Sequence, residues 1–265
     1  MSTRKRFERG FDIKHWIVLA RTPKIAIWIW TAFGGGLTLL SYEKWVWLKD
    51  DGWQGRIAEE DEMQRGFERS VNAAPFLRSL QIRSWGTYDL RFLEGKKHLK
   101  WLQVASSLAG PLDFSRLTKL EILAGSDNSI QKISGLSQLP RLMCVYVTGL
   151  KKTWLDQLPE SVEIMYVTAK LPAKATFAHL PKLRKLGLNS NREIDFSKLP
   201  VIRSLEELDL TNIKEMINHS EIRIAFPNLR KLNVGSIRES DYNELVAVLK
   251  DCDIDLWDGF ILPKA

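Results

Sequence analysis

The side chains best suited to metal binding or nucleophilic catalysis are few in this sequence and badly spaced. His15, His98, His179 and His219 are scattered along the chain, without the paired spacing that a zinc site draws its ligands from. Cys144 and Cys252 form no C-x-x-C pair, so neither a redox motif nor a metal clip is indicated. Gly34-Gly35-Gly36 lacks the Lys and Ser/Thr of a phosphate loop and the spacing of a dinucleotide fingerprint. Acidic residues are plentiful, but nothing places two of them together in a cleft. These patterns argue against an enzyme, against a metal or organic cofactor and against a small-molecule substrate. The chemistry left to the chain is recognition by aromatic and apolar surfaces.

Charge does not redirect that reading toward nucleic acid. The formal net charge is +7 over 265 residues, but only the start is densely basic. Residues 1–24 carry seven Lys or Arg against Glu8 and Asp12, whereas residues 25–70 are net acidic and the excess beyond them is spread over a much larger surface. A topology signal or a solvated tail explains such a start more simply than a nucleic-acid arm. Tryptophan is uneven too: Trp16, Trp28, Trp30, Trp45, Trp47 and Trp53 are six of the ten in the chain. The N-terminal quarter is therefore a different kind of object from the rest.

The elements that would carry a recognition surface show themselves as a repeat, which is the first thing to seek in a sequence. The pattern L-x-x-L-x-L, with conservative apolar replacements, recurs as Leu77-Leu80-Ile82, Leu99-Leu102-Val104, Leu142-Val145-Val147, Val162-Met165-Val167, Leu183-Leu186-Leu188, Leu205-Leu208-Leu210 and Leu229-Leu232-Val234. A weaker copy, Leu120-Leu123-Gly125, fits between the second and third. Return segments such as FSRLTKL, LSQLPRL, FAHLPKL, DFSKLP and AFPNL lie between copies and supply Leu117, Leu139, Leu180, Leu199 and Phe226 to a shared interior. One such unit cannot bury its apolar face alone, so neighbours must stack into a continuous parallel sheet.

This pattern resembles the leucine-rich-repeat superfamily, in irregular units of about 22 residues. The resemblance covers roughly two thirds of the chain and implies an α/β solenoid: a curved parallel sheet with short helical or irregular returns. The family's ninth-position Asn is matched only by Asn128 and Asn191, so the buried asparagine ladder is mostly absent and irregular loops are expected. Cys144 and Cys252 fall about five repeats apart, too far for a disulfide. At the C-terminal end, Asp241–Lys250 has helical periodicity at Tyr242, Leu245, Val246 and Leu249, with Asp241 or Ser240 as N-cap and a closing strand at Ile254-Asp255-Leu256. At the other end, Gln54–Val71 reads as an amphipathic helix with Ile57, Met63 and Phe67 inward.

Strand alternation decides which side chains face outward. The first, fourth and sixth motif positions point into the core, and the third and fifth point onto the concave face. The third positions include Trp101, Ile122, Cys144 and Ile164, and the fifth include Tyr146 and Tyr166. Trp101, Ile122, Ile164, Tyr146 and Tyr166 thus form an aromatic and apolar strip, the usual anatomy of a partner-binding surface. Three readings stay open: an intermolecular site, a strip covered by the chain's own N-terminal region, or a register one residue off.

The segment Ile25–Tyr42 holds no charge and as a helix would match the hydrocarbon core of a bilayer. Trp28 and Trp30 would lie at one membrane interface and Tyr42, Trp45 and Trp47 at the other. The basic flank would keep the N-terminus on the cytoplasmic or matrix side, with the repeats opposite. The rival is a β-hairpin turning at Gly34–Gly36 and capping the solenoid. The expected organisation is a basic segment (1–24), a Trp-rich hydrophobic segment (25–48), a linker and capping helix (49–75), the solenoid (76–240) and a C-terminal cap (241–265). With a span, the layout is similar to accessory subunits of energy-transducing membrane complexes, the mitochondrial inner membrane being one home. Without one, it fits a cytoplasmic recognition protein such as a bacterial effector or a toxin-neutralising immunity protein. In either case the expected partners are other proteins, joined by the lipid bilayer through residues 25–42 in the first.

Overall fold

The computed structural model describes residues 36–41, 45–48, 54–57, 60–72, 74–168, 171, 175–189 and 193–262. Sixteen strands follow in chain order among them. They are β1 (Gly36–Ser41), β2 (Trp45–Leu48), β3 (Gln54–Ile57), β4 (Ser79–Tyr88), β5 (Trp101–Leu108), β6 (Leu112–Asp113), β7 (Ile122–Ser126) and β8 (Ile133–Ser134), then β9 (Cys144–Thr148), β10 (Ile164–Val167), β11 (Lys185–Asn189), β12 (Glu193–Asp195), β13 (Glu207–Thr211), β14 (Glu215–Ile217), β15 (Lys231–Arg238) and β16 (Asp253–Leu262). Helix α1 spans Glu60–Asn72 and helix α2 spans Glu239–Val248.

Ten strands form one sheet in the order β1-β4-β5-β7-β9-β10-β11-β13-β15-β16, and every neighbouring pair runs parallel. The register is the one the repeat predicts. Leu80, Leu102, Leu123, Val145, Met165, Leu186, Leu208, Leu232 and Ile254 stand opposite one another across successive strands. From Leu80 through Leu232 these side chains are completely buried, each fully buried aliphatic chain contributing about 1.5–3 kcal/mol relative to exposure. Returns close the core from the far side: Leu117, Leu139, Leu180 and Phe226 are sealed from solvent. Leu199 is only partly buried, and Ile202, at 3% exposure, sits deeper.

The weak copy at Gly125 is completed from outside its own strand. A helical turn, Asp127–Ile130, follows β7 and brings the fully buried Ile130 against Gly125, into space that a side chain there would occupy. Ser129 Oγ of the same turn donates to the Val104 carbonyl. Other returns differ from this one and from each other. A helical turn at Lys152–Leu155 buries Trp154 and Leu155, while β6 with β8 and β12 with β14 form small parallel sheets away from the main one. Gly135 adopts a left-handed conformation beside Asp113 and Ser115, where a Cβ would collide with the neighbouring turn. Asn128 lies in the turn after β7, and Asn191 lies outside the described residues.

Three expectations for the ends are corrected. First, residues 25–42 do not form one continuous helix, because Gly36–Ser41 is a strand paired in parallel with Ser79–Ser84, Leu37 opposite Leu80 and Leu39 opposite Ile82. Successive glycines penalise a helix, whereas LTLL presents its leucines with the sheet's period of two. No helix among the described residues is long and apolar enough to cross a membrane. Second, the helix expected over Gln54–Val71 begins at Glu60, and Gln54–Ile57 pairs antiparallel with Trp45–Leu48. Phe67 and Val71 of α1 are buried as an inward face requires. Third, α2 starts two residues before Asp241, after Arg238 in extended conformation. Leu245 and Leu249 are buried while Val246 is 41% exposed. Asp241 is not a cap but a buried carboxylate, 3.3 Å from His219 Nε2, with Glu244 2.8 Å from the other ring nitrogen.

Candidate functional site

Two rows of side chains cross the outer face of the main sheet, one residue per strand. Ser79, Trp101, Ile122, Cys144, Ile164, Lys185, Glu207, Lys231 and Asp253 make the first row. Gln81, Gln103, Ala124, Tyr146, Tyr166, Gly187, Asp209, Asn233 and Asp255 make the second. Trp101, Ile122, Ile164, Tyr146 and Tyr166 therefore share one face, with no slip of register. They are unequally accessible. Tyr146 is 44% exposed, Trp101, Ile122, Ile164 and Tyr166 are half-buried, and Cys144 between the isoleucines is buried. Burial pushes the Cys144 thiol up to about 11, which keeps it protonated and poorly nucleophilic.

The tyrosines are the ordered centre of the face. Their rings stack in parallel with centroids 4.8 Å apart, one strand spacing and within the favourable range for aromatic pairs. Burial raises both phenols above their ordinary range. The Tyr166 ring leans over Gly187 on β11, where an added Cβ would fall inside it. From there its hydroxyl donates to Asp209 Oδ2 on β13 at 3.1 Å. Gly187 serves here by lacking a side chain, not by an unusual backbone angle. Gly187→Ala is expected to lift the Tyr166 ring and break its bond to Asp209, destabilising the chain by about 1–3 kcal/mol. Urea denaturation together with the near-ultraviolet tyrosine signal would test this, and an unchanged signal would contradict the close packing.

Beside the tyrosines lies a polar cluster that motif reading missed. Lys185 Nζ donates to Glu207 Oε1 at 2.7 Å and lies 3.0 Å from Asp209 Oδ2. It also sits 5.8 Å from the Tyr166 ring centroid. Asn233 Nδ2 donates to Glu207 Oε1 at 3.0 Å and to Asp209 Oδ1. Asp209 and Asn233 are 3% and 4% exposed, on a face that alternation assigns to solvent. The signal for this cluster was the opposite charge of Lys185 and Glu207 at equivalent positions of adjacent repeats, a cross-strand pair. Lys231 pairs with Asp255 at 3.1 Å.

Of the expected membrane-interface residues, Trp28, Trp30 and Tyr42 lie outside the described residues. Trp45 and Trp47 lie in β2, opposite Ile57 and Gly55 of β3. His98 packs edge-on against Phe76 with centroids 5.5 Å apart, and His179 Nε2 lies 3.0 Å from the Leu155 carbonyl. Both are structural contacts. Among the described residues no group of His, Cys, Asp or Glu side chains converges as a metal site.

No family model matches the chain. Among solved structures it is similar to the leucine-rich-repeat protein TLR13, in the crystal structure of its complex with ssRNA13. The TM-score is 0.50 at 18% sequence identity, over 78% of this chain and 36% of that one. The chain thus spans little more than a third of that protein's length. At this identity the likeness concerns architecture alone, and it agrees with the ten-stranded parallel sheet: the fold is a leucine-rich-repeat-like solenoid.

Proposed function

We propose that this chain is a non-enzymatic recognition module that holds a protein partner against the outer face of its main sheet, centred on Tyr146 and Tyr166. The observation that carries this reading is Tyr146: a large aromatic side chain, 44% exposed, held rigid by stacking on Tyr166. Pre-ordered aromatic groups of this kind contribute most of the affinity at protein interfaces, because little conformational entropy remains to be lost on binding. Half-buried Ile122 and Ile164 supply the apolar surround, and the Lys185–Glu207–Asp209 cluster a polar margin.

Protein is favoured over nucleic acid by charge. TLR13 was solved with ssRNA, but the electrostatic part of nucleic-acid affinity comes from Lys and Arg that are free to neutralise phosphates. Here Lys185 and Lys231 are both engaged by carboxylates of the same face. The recognition protein without a membrane span is the reading adopted, since strand β1 takes up part of the segment that a span would need.

The test is a quantitative comparison of proteins captured by the wild-type chain and by Tyr146→Ala. At least one partner should lose tenfold or more in affinity, confirmed with that partner purified, while the thermal midpoint of the variant stays within a few degrees. Equal capture of every partner by both chains would remove the strip from the interface.

A further inference from the structure

We propose that this face accepts an aromatic side chain of the partner above Ala124, where it continues the tyrosine stack by one strand. The inference rests on the reading of the face as a protein-binding surface and specifies what that surface recognises. Gln103, Ala124, Tyr146 and Tyr166 occupy the same position on β5, β7, β9 and β10. Ala124 is thus a short residue between two long ones, leaving a notch about two strand spacings wide, near 10 Å.

One wall is the Tyr146 ring, stacked on Tyr166, which is itself drawn toward the later repeats by Asp209 and lies over Gly187. On the other side Gln103 accepts a hydrogen bond from Gln81 Nε2 at 2.5 Å, toward the earlier repeats. A ring seated over Ala124 would stand one strand step from Tyr146. The Tyr146–Tyr166 pair already shows that such a step, 4.8 Å between centroids, is a favourable stacking distance.

Charge selects among planar groups. Strands β5, β7, β9 and β10 contain no Lys, Arg, Asp or Glu. A guanidinium would find no carboxylate in these strands and a nucleotide phosphate no cation. Phe, Tyr or Trp needs neither, and its burial against Ala124, Ile122 and the Tyr146 ring is favourable by itself.

The experiment selects random dodecapeptides displayed on phage against the full chain, then measures the enriched peptides by fluorescence polarisation. Ala124→Trp fills the notch from within, Tyr146→Leu keeps apolar bulk without the stacking ring, and Tyr146→Trp restores a ring. The enriched peptides are expected to share an aromatic residue whose change to Leu weakens binding about tenfold. Ala124→Trp and Tyr146→Leu should weaken them similarly, and Tyr146→Trp should bind nearly as wild type. Ala124→Leu, a smaller filling, repeats the test should the Trp variant fold poorly. Peptides that lose binding with Tyr146→Leu but need no aromatic residue and tolerate both fillings would overturn the notch while leaving the face in place. Peptides indifferent to every substitution, or no enrichment at all, would overturn both. A labelled dodecauridylate that bound the wild type and not Tyr146→Leu would replace the aromatic side chain with a base and refute the assignment.

Discussion

Leu208→Ala is expected to destabilise the chain by about 2–5 kcal/mol, a large fraction of what holds a typical domain folded. Leu208 is fully buried on β13, between Leu186 of β11 and Leu232 of β15. Both neighbours belong to the same inward row, so truncation leaves a cavity bounded by rigid strands that cannot collapse into it. In a solenoid each unit leans only on its neighbours, and a defect at an interior strand weakens two interfaces at once. Ile254→Ala, on the final strand β16 and only partly buried, should cost distinctly less. Urea denaturation of both variants checks the ordering. A loss below about 1 kcal/mol at Leu208 would mean that the row does not face the core.

The solenoid was legible because its signal is redundant. Seven clear copies of one apolar pattern fix strand position, direction and facing together, and the observed pairing matches them residue by residue. The N-terminal strand was not legible in this way. In β1, Leu37 and Leu39 fill the fourth and sixth motif positions, but the first position, three residues before Leu37, is Gly34. With that leucine missing, the lack of charge around it suggested a membrane helix, and hydropathy alone cannot separate a buried strand from a buried helix. The start of α1 was misplaced for a different reason: Ile57 is apolar but stands six residues before Met63, off the face that Met63 shares with Phe67, and it belongs to a hairpin strand.

The candidate site was half legible. Alternation named the side chains on the outer face, including both tyrosines. It could not tell how far they lean, and leaning decides exposure here. Tyr166 crosses Gly187 to reach Asp209 two strands away, a contact between residues of non-adjacent repeats that no pairwise motif encodes. The same lean shields Asp209, an acidic residue that alternation would leave in solvent. Sequence thus assigns the face, while the one missing side chain at Gly187 determines what that face shows.

Lys185→Met is expected to destabilise the chain by about 3 kcal/mol near neutral pH, at the low end for a buried ion pair deprived of one partner because the lysine side chain keeps 16% exposure. Met preserves length and apolar stem, so the change is close to a pure loss of charge. It leaves the nearly buried Asp209 and the neighbouring Glu207 with Asn233 as their shared donor. The pH dependence has a definite sign. Burial would lower the lysine's affinity for its proton, but hydrogen bonds to Glu207, Asp209 and Tyr166 outweigh it and raise its pKa. Its contribution is therefore complete below the unfolded value of about 10.4 and fades only as pH climbs through the higher folded one. Glu207 runs the other way. Burial alone would raise it, yet Lys185 and Asn233 hold it below the usual carboxylate range. Its contribution is present above about pH 4.3 and is lost as pH falls through the folded value. The gap between wild type and Lys185→Met should be widest from roughly pH 5 to 10 and should narrow below about pH 4, as denaturation curves across that range would show. A gap that stayed constant down to pH 3 would mean that the loss does not come from the ion pairs of Lys185 with Glu207 and Asp209.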